Sequence, residues 1–495
     1  MAAPVAAPSA ALIQPFRRAV ASGSEIATER PGAGGRHEVC GGAPMTSVDP
    51  GIAVLRMSAS SARVLERRAV EAAIWGMPIV ACDAMRQAFF RDAGGSYNDI
   101  LYLSRPADWR FQITTPNASC WYVYIPINTS AGPIVLDVPP AGAAGLFGNL
   151  NDAWQAPIVD IGPVGEDRGR GGKYVVLPPG YDEPVPDGCI PVRLRTYNGY
   201  AVLRAIPPSA SAADVAAGLD LVQQTRIYTL AQAAQPPRQR FIDMAGKLFD
   251  GIPRFDDSFF DSLARIISEE PVQERDLIMM AYLRSLGIEK GRRFKPDPGT
   301  REILRNAAGE ARAGFIRTML ALPPFVPGTQ WAIPASHIGG ETGHTFATAN
   351  YLDVDARGQQ CFFGRAAKRF GIAAFYLATL KDGTGAPLDG SRRYRLRVPP
   401  HVPARQFWAA TVYDCDTAAF VRQSAHVEIN SYDDRLRIAA DGSVDVTFGP
   451  SRPGDAANWI ATPPGRSWVA LFRFYGPDKT VFEKKWTLPD ITVET

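Results

Sequence analysis

A glycine-rich loop in the first half of the chain carries three cations at close spacing. It runs from Gly165 to Lys173 and includes Arg168 and Arg170. Glycine amides in such a loop can approach an anion closely, and the cations favour negative charge. The spacing differs from that of a P-loop, and Tyr174 stands where a Ser or Thr would meet magnesium. We expect a solvated hairpin loop, with an anionic-ligand contact through Arg168 and Lys173 as the alternative.

The metal-like cluster of the sequence is His337, Glu341 and His344. On a helix, positions i, i+4 and i+7 would share a face and present two imidazoles and a carboxylate. The three glycines among them argue against a helix, because glycine weakens helix interiors. Surface or hydrogen-bonded histidines are therefore the expectation, and a metal site is the less favoured alternative.

An aromatic and amide group lies near the C-terminus, with Asn458, Arg473 and Tyr475 beside Trp408 and Trp468. Large aromatic side chains dominate the cores of β-proteins, so packing is the first interpretation. The alternative is a platform on which a sugar or another flat ligand stacks. Asn458 and Arg473 would then form hydrogen bonds with the rim of that ligand.

Several function classes lack support in the sequence. There is no GxSxG elbow and no Walker A loop, and we expect no cofactor because no cofactor motif is evident. The chain has 53 Lys and Arg residues against 50 Asp and Glu, a net charge of +3. This near balance argues against nucleic acid or an anionic membrane as the main partner.

The cysteines and the N-terminus bear on the compartment. The six cysteines form no CxxC pair, so reduced thiols are expected. No stretch of about 18 apolar residues is present to span a bilayer. The apolar segment 2–15 has no basic residue ahead of it, unlike a secretory signal. A cytoplasmic location is the expectation, and a homo-oligomer is left open.

Composition and periodicity divide the 495 residues into five parts. Residues 1–50 are rich in Ala, Gly and Pro and are expected to be disordered. Helices are expected at 58–92 and in a helical domain at 209–321. Short strands bounded by Gly, Pro and Asn predict β-domains at 95–207 and 330–491. The predicted fold class is mixed multidomain and mainly β, with two antiparallel β-sandwiches joined by the helical domain.

Three local expectations follow from the same patterns. Pro78 should kink or end the N-terminal helix, because proline lacks a backbone donor. Apolar residues surround the helix predicted at 276–286, so that helix should be buried on all sides. The segment 468–475 is apolar on both faces, which predicts a central strand.

Two sets of stretches resemble known families. FWAATVYD, LDGSRRYRLRVP and NWIATPPGRSWVALFRFYGPDKTVFEKKW resemble the family called domain of unknown function 1214. EAAIWGMPIV, TPNASCWYVYIPINTSAGPIVLDVPP and GGKYVVLPPGY resemble domain of unknown function 1254. EEPVQERDLIMMAYLRSLGIEKGRRF resembles the helices that join the two. Together the resemblances cover roughly residues 60–490 and imply two sandwich or jelly-roll domains with helices between them.

The second resemblance adds Asn117 and Tyr122 to the candidate residues. It also departs from the family, because Ser119 and Cys120 replace an Asp-Thr pair found in many members. A role that depends on that carboxylate does not carry over to this chain. The complete set of ligand-binding candidates is Asn117, Tyr122, Arg168, Lys173, Asn458, Arg473 and Tyr475.

Function remains a choice between two classes. The first is a hydrolase- or lyase-like enzyme that acts on a polar or carbohydrate-like small molecule in an inter-domain cleft. The second is a non-catalytic ligand-binding or envelope-associated protein, since sandwich domains often only bind. Because pockets form preferentially between domains, we expect residues from both β-regions to line one cleft.

Overall fold

The computed structural model describes residues 59–142, 144–209, 211–334, 345–365, 368, 374–454 and 458–494. Within them, the helices are α1 Ala59–Arg91, α2 Ala212–Gln224, α3 Ser258–Glu269, α4 Leu277–Ser285, α5 Pro298–Ala321, α6 Val354–Phe363 and α7 Lys479–Phe482. The strands are β1 Ile100–Tyr102, β2 Phe111–Gln112, β3 Trp121–Asn128, β4 Ile134–Val138, β5 Gly145–Asp152, β6 Pro157–Ile161, β7 Gly172–Leu177, β8 Ile190–Arg193, β9 Asn198–Ile206, β10 Arg226–Thr229, β11 Phe241–Asp243, β12 Phe249–Asp250, β13 Ala374–Thr379, β14 Tyr394–Val398, β15 Trp408–Asp414, β16 Glu428–Asn430, β17 Val444–Gly449, β18 Trp459–Ala461, β19 Trp468–Tyr475 and β20 Thr492–Val493. The fold is therefore mainly β, with several sheets and helices packed against them.

The N-terminal β-region contains a six-stranded sheet in the order β11-β1-β3-β9-β5-β6 and a four-stranded sheet in the order β10-β4-β7-β8. Side chains alternate between the faces of each strand. Val123 and Leu203 from the first sheet share one aliphatic core with Leu136 and Val176 from the second. The branched side chains that marked these strands in the sequence therefore hold the two sheets together.

The C-terminal β-region repeats this arrangement with sheets β13-β19-β15-β16 and β18-β17-β14-β20. Trp468 and Phe472 of β19 share a core with Leu396 and Val446 of the second sheet. Every residue of β19 is buried, and β13 and β15 flank it on both sides. The sequence prediction of a central strand at 468–475 is confirmed.

Helix α1 packs against α3, α4, α5 and α6. Of the prediction that Pro78 kinks or ends this helix, the ending is wrong, because α1 continues through Pro78 from Ala59 to Arg91. Neighbouring side chains bind backbone carbonyls around the proline. Gln155 Nε2 donates to Pro78 O at 2.8 Å, and Arg357 Nη2 donates to Trp75 O at 3.3 Å. Tertiary contacts thus support the helix where the proline weakens it.

The segment 209–321 differs from the purely helical prediction. Strands β10, β11 and β12 lie inside it and pair with β4, β1 and β2 of the N-terminal region. They are four, three and two residues long, too short to show a two-residue period in the sequence. The segment therefore contributes strands to the N-terminal sheets as well as helices.

Helix α4 is not buried on all sides, contrary to the prediction for 276–286. Leu277 is 57% exposed and Ile278 is 71% exposed, whereas Leu283 is fully buried. The helix packs along one side on α1 and on the short turn before it. An apolar periphery indicates burial only if neighbours surround the helix, and here they cover one side.

The sheets are also not purely antiparallel. Four pairs are parallel, namely β1 with β11, β2 with β12, β7 with β8, and β17 with β18. Local sequence patterns indicate a strand but carry little information on the direction of its partner. In the described part of the chain, no helix is long and apolar enough to span a membrane.

Candidate functional site

The outer face of the sheet β13-β19-β15-β16 meets a loop of the N-terminal β-region. Because alternate residues of β19 point to opposite faces, Arg473 and Tyr475 lie opposite the core that holds Trp468 and Phe472. Arg473 is 2% exposed, although it carries a charge. A buried guanidinium needs hydrogen-bond partners, and those partners define the site.

Arg473 joins the two β-regions by hydrogen bonds. Its Nη2 donates to the backbone carbonyls of Thr115 at 3.0 Å and Pro116 at 3.3 Å. Its Nη1 donates to the Thr411 hydroxyl at 2.7 Å, and Nη2 also contacts the Tyr413 hydroxyl. Arg473 is thus well satisfied by neutral acceptors and fixes the loop that contains Thr115.

Glu428 holds the same loop from the neighbouring strand β16. Its carboxylate accepts from the backbone amide of Ala118 at 3.1 Å and from the Thr411 hydroxyl at 2.9 Å. The loop is also tied to β3, because the backbone amide of Asn117 donates to the Tyr122 hydroxyl at 3.0 Å. This chain of bonds places Asn117 and Tyr122 beside the outer face of the C-terminal sheet.

Arg204 lies directly opposite Tyr122 in the sheet register and is the second cation at this junction. Its guanidinium is 5.2 Å from the centre of the Tyr122 ring, and its other electrostatic neighbours include Tyr376, Tyr475 and Cys120. The Nε atom is buried without a hydrogen-bond partner. Among the described residues no carboxylate is paired with Arg204, so its charge is balanced only by polar neutral groups.

Two further polar atoms at the junction lack partners. The Nδ2 of Asn117 and the hydroxyl of Tyr475 are buried without a well-formed hydrogen bond, on side chains only 2% and 3% exposed. The Tyr475 hydroxyl faces the Cys120 thiol, a weak partner. Burial raises the pKa of Cys120 to about 11, against the opposing effect of Arg204, so the thiol is protonated at neutral pH. We call the residues that meet here the junction cluster, namely Asn117, Cys120, Tyr122, Arg204, Tyr376, Arg473 and Tyr475.

Comparison with known families assigns the two sides of the junction. The family described as "Protein of unknown function (DUF1254)" matches residues 97–229, and the family described as "Protein of unknown function (DUF1214)" matches residues 373–479. The two matching regions, the DUF1254 region and the DUF1214 region, follow each other in that order along the chain. The resemblances noted in the sequence are confirmed, and the junction cluster lies where the DUF1254 region meets the DUF1214 region.

Two solved structures are similar to this chain. A crystal structure of a protein from Vibrio parahaemolyticus matches with a TM-score of 0.50 and 17% identity, over 87% of this chain and 100% of that chain. An uncharacterised protein from Burkholderia cenocepacia matches with a TM-score of 0.38 and 12% identity, over 88% of this chain and 95% of that chain. The first likeness shows a shared fold. No protein with a curated description matches the chain.

Four of the seven candidate residues come together at the junction, namely Asn117, Tyr122, Arg473 and Tyr475. Arg168 and Lys173 of the DUF1254 region are elsewhere, on the glycine-rich loop and on β7. Both are exposed, and Lys173 lies opposite Asp137 in the sheet register.

The glycine-rich loop is closed by its own carboxylate. Asp167 accepts from the amide of Gly162 at 2.7 Å and from the amide of Gly171 at 3.2 Å. These amides therefore already have an anionic partner within the loop. The arrangement fits the interpretation of a solvated hairpin loop better than that of an anion site.

Asn458 of the DUF1214 region is also separate from the junction. It accepts from the Arg437 amide at 3.0 Å and donates to the Arg437 carbonyl at 2.7 Å. It also donates to Asp445 O at 3.1 Å. With all these bonds directed at the backbone, Asn458 fixes the chain beside β17.

Sequence reasoning missed Arg204 and Tyr376. The register shows Arg204 opposite Tyr122, a pairing that the strand sequence NGYAVLRAI does not reveal by itself. The one available signal was that this strand is otherwise apolar on both faces, which makes a charged residue within it unusual. Tyr376 gave no comparable signal, because tyrosine is common in strands.

The histidine cluster His337, Glu341 and His344 lies outside the described residues. The metal site therefore remains the less favoured alternative of the sequence interpretation. Among the residues that the structure describes, no group of three or more His, Cys, Asp or Glu side chains is arranged to hold a metal ion.

Proposed function

We propose that this chain binds a small anionic molecule at the junction cluster. The observation that carries the proposal is Arg204, a cation with a buried Nε and no carboxylate or hydrogen-bond partner among the described residues. Burying a charge without compensation is costly, so such a residue usually has a partner that arrives from solution. Arg204 is only partly buried as a whole, which leaves the guanidinium a route to solvent.

The neighbours of Arg204 suit a carboxylate or phosphate. A guanidinium donates two parallel hydrogen bonds to such groups. The Tyr475 hydroxyl and the side-chain Nδ2 of Asn117 are further donors that have no well-formed hydrogen bond. The rings of Tyr122 and Tyr376 lie beside the cation and would exclude water from the bound anion. A ligand with negative charge is therefore favoured over a neutral sugar.

The hydrolase- or lyase-like activity expected from the sequence finds less support in this geometry. The Cys120 thiol is protonated at neutral pH, because its pKa is raised to about 11 by burial. The Thr411 hydroxyl donates to Glu428, but its oxygen is already bound by Arg473. Neither group is poised as a nucleophile, so the non-catalytic alternative, a ligand-binding protein, is the better supported of the two.

The test compares anions with neutral molecules. The protein is screened by thermal shift and titration calorimetry against small carboxylates, phosphate esters and neutral sugars. We expect stabilisation by one of the anionic classes, because a ligand that binds only the folded state raises its stability. Arg204→Gln should weaken that binding about tenfold to a hundredfold, the range for loss of a charged hydrogen bond.

A structural role for Arg204 would give a different pattern. Removing a structural arginine lowers the stability of the unliganded protein, whereas removing an unpaired one leaves it unchanged or raises it. Arg168→Gln is the matched control, because this arginine is exposed on the glycine-rich loop and should affect neither quantity. Equal anion affinity in wild type and Arg204→Gln would refute the proposal, as would a wild type that no anion stabilises.

We further propose that each pair of sheets is a β-sandwich, with a jelly roll in the DUF1214 region. The support is the single core shared by each pair. Sandwiched sheets pack about 10 Å apart with strand directions within about 30° of each other. An experimental structure with larger crossing angles in either region would exclude this arrangement.

A further inference from the structure

Helix α4 presents a group of apolar side chains to solvent. Ile278 is 71% exposed, and Leu277 and Ala281 beside it are exposed as well. Residues three and four apart lie on the same face of a helix, so these three form one continuous stripe, which we call the α4 stripe. Leu283, on the opposite side, is buried in the core built around α1. Single exposed apolar residues are ordinary, whereas a contiguous exposed group is typical of an interaction surface.

Opposite charges stand at the two ends of the α4 stripe. Glu274 lies in the short turn Glu274–Asp276 that leads into α4, and Arg284 lies in the last turn of the helix. Both are exposed, and each is three positions from the stripe, so both lie on its side of the helix. In the described part of the chain, neither side chain forms an ion pair or a hydrogen bond. By contrast, the intervening Arg275 is paired with Asp276. The stripe therefore runs from an unpaired acid to an unpaired base.

This pattern is complementary to itself. A two-fold axis that passes Met279 would lay the helices of two copies side by side in opposite directions. Leu277 of one copy would then face Ala281 of the other, because both positions are two residues from the axis. Glu274 would face Arg284 of the other copy, because both are five residues from it. In a two-fold contact residue i meets residue j and j meets i, and a large side chain opposite a small one lets the helices approach closely.

From this match we infer that the α4 stripe is a contact between two copies of this chain, formed by two antiparallel α4 helices. The charge pattern favours a second copy over other occupants, since one axis pairs both the apolar and the charged positions. A membrane surface would favour cations along the rim of the stripe, and Glu274 places an acid there. The helix has nine residues, so the contact is small, and small interfaces are weak and reversible.

The first experiment follows the mass of the full-length protein by sedimentation velocity from about 1 to about 200 µM. We expect a reversible monomer–dimer equilibrium with a dissociation constant on the order of 10 µM. Ile278→Asp should weaken the dimer at least about tenfold, because residue 278 is next to the axis and two like charges would meet there. Ile438→Asp is the matched control, because this isoleucine is 62% exposed in the DUF1214 region, and that variant should dimerise as the wild type does.

The second experiment exchanges charges between copies. Glu274→Arg puts two cations opposite each other at both ends of the contact, and Arg284→Glu puts two anions there. Each variant alone should therefore be monomeric at concentrations at which the wild type dimerises. An equimolar mixture of the two should form a mixed dimer, because each arginine then faces a glutamate. Sedimentation with fluorescence detection of one labelled variant measures this dimer. A role of these charges in stabilising α4 alone would not make the mixture behave differently from its components.

Three results would overturn the inference. The first is a wild type that stays monomeric up to about 200 µM, including one in which Ile278 proves to bind lipid vesicles instead. The second is a dimer that Ile278→Asp and Ile438→Asp leave equally intact, since the contact would then use another surface. The third is a mixture of the two charge variants that remains monomeric, because the antiparallel register requires the mixed dimer. Anion binding at the junction cluster should be the same in Ile278→Asp and the wild type, so the proposed function stands or fails separately.

Discussion

The two arginines of the junction cluster, one buried and one partly buried, differ in how their charges are satisfied. Arg473 donates to two backbone carbonyls and two hydroxyls, and those bonds join the DUF1254 and DUF1214 regions. Arg204 sits among aromatic rings with a buried Nε that has no partner. A satisfied buried network rigidifies a structure, whereas an unsatisfied one is costly unless something binds to it. The same residue type therefore predicts stability at one position and ligand binding at the other.

Replacement of Arg473 by methionine should lower the free energy of unfolding by roughly 3 kcal/mol. The change leaves several buried acceptors without a donor, and each such group costs about 1–3 kcal/mol. The measurement is the urea midpoint in the absence of ligand. Arg435→Met is the control, because the Arg435 side chain is 88% exposed and bonds to Asp433, two positions before it. Equal midpoints for the two variants would mean that Arg473 does not hold the junction.

A buried carboxylate should make stability depend on pH. Burial raises the pKa of Asp152 from 3.8 to about 6, against a hydrogen bond from the Ala156 amide and the charges of Arg275 and Arg357. The folded state then binds more protons than the unfolded state between about pH 4 and pH 6, so stability falls as pH rises through that window. Above it, the charged carboxylate costs at most about 3 kcal/mol.

Asp152→Asn should therefore stabilise the protein at pH 7.5 and have little effect at pH 4. Asparagine imitates the protonated carboxyl and keeps the oxygen that accepts from Ala156 at 3.0 Å. The measurement is the denaturation midpoint of both proteins across the pH range. A stabilisation that is equal at the two pH values would contradict titration of Asp152 as its cause.

At the scale of single residues, the sequence revealed only part of the site. Arg473 and Tyr475 could be singled out as members of the aromatic and amide group near the C-terminus. Asn117 and Tyr122 came only from the family resemblance. Arg204 escaped notice because its importance depends on which strand lies beside it. Its cross-strand neighbour Tyr122 is 82 positions earlier in the chain, 204 against 122.

Among the helices, the crossing of α1 and α6 depends on a glycine. A Cβ built on Gly358 would lie 2.8 Å from the carbonyl oxygen of Ile74 and 3.0 Å from a ring carbon of Phe315. Ile74 is four residues before Pro78, so its carbonyl has no helical donor. The glycine lets α6 approach α1 at the turn that the proline has weakened.

Gly358→Ala should destabilise the protein by about 1–3 kcal/mol, the usual cost of overpacking a core. The matched control is Gly309→Ala in α5, where a new Cβ would meet nothing within 4 Å. That change should be neutral or stabilising by up to about 1 kcal/mol, since alanine favours helix over glycine. The thermal midpoint should therefore fall for Gly358→Ala and stay level or rise for Gly309→Ala, and a loss of equal size in both would refute close packing at Gly358.

The elements differ in how well their sequence patterns predicted them. β19 was predicted with its central position, because eight residues of apolar character on both faces leave few alternatives. β12 has two residues and pairs in parallel with β2, and no pattern of that length can be read from a sequence. The prediction for helix α4 was wrong because an apolar side chain can be buried but need not be. Its exposure depends on how many neighbouring residues pack against it.

At the scale of the molecule, one apolar core connects the DUF1254 region with the DUF1214 region among the described residues. It contains Phe111 and Tyr124 of the DUF1254 region, residues of the helices, and Phe420 and Leu471 of the DUF1214 region. Backbone bonds cross the same boundary, as between the Thr115 amide and Ala418 O at 2.7 Å. Residues 59–494 accordingly belong to one compact unit. The sequence suggested domain boundaries at changes of composition, but it could not show a core assembled from distant segments.

The two regions should therefore fold as one. A chain cut between residues 321 and 322 would expose the outer face of the DUF1214 sheet, including Val469 and Leu471, which the intact chain buries. Large exposed apolar faces cause aggregation, so the fragment 322–495 should be insoluble when expressed alone. Co-expression with 59–321 should restore a soluble complex, because the complementary face is then present. The measurement is the soluble fraction and the elution volume in size-exclusion chromatography. A 322–495 fragment that elutes as a monomer and melts in a single sharp transition would show that the DUF1214 region folds alone. Its folding would then not require the core that it shares with the DUF1254 region.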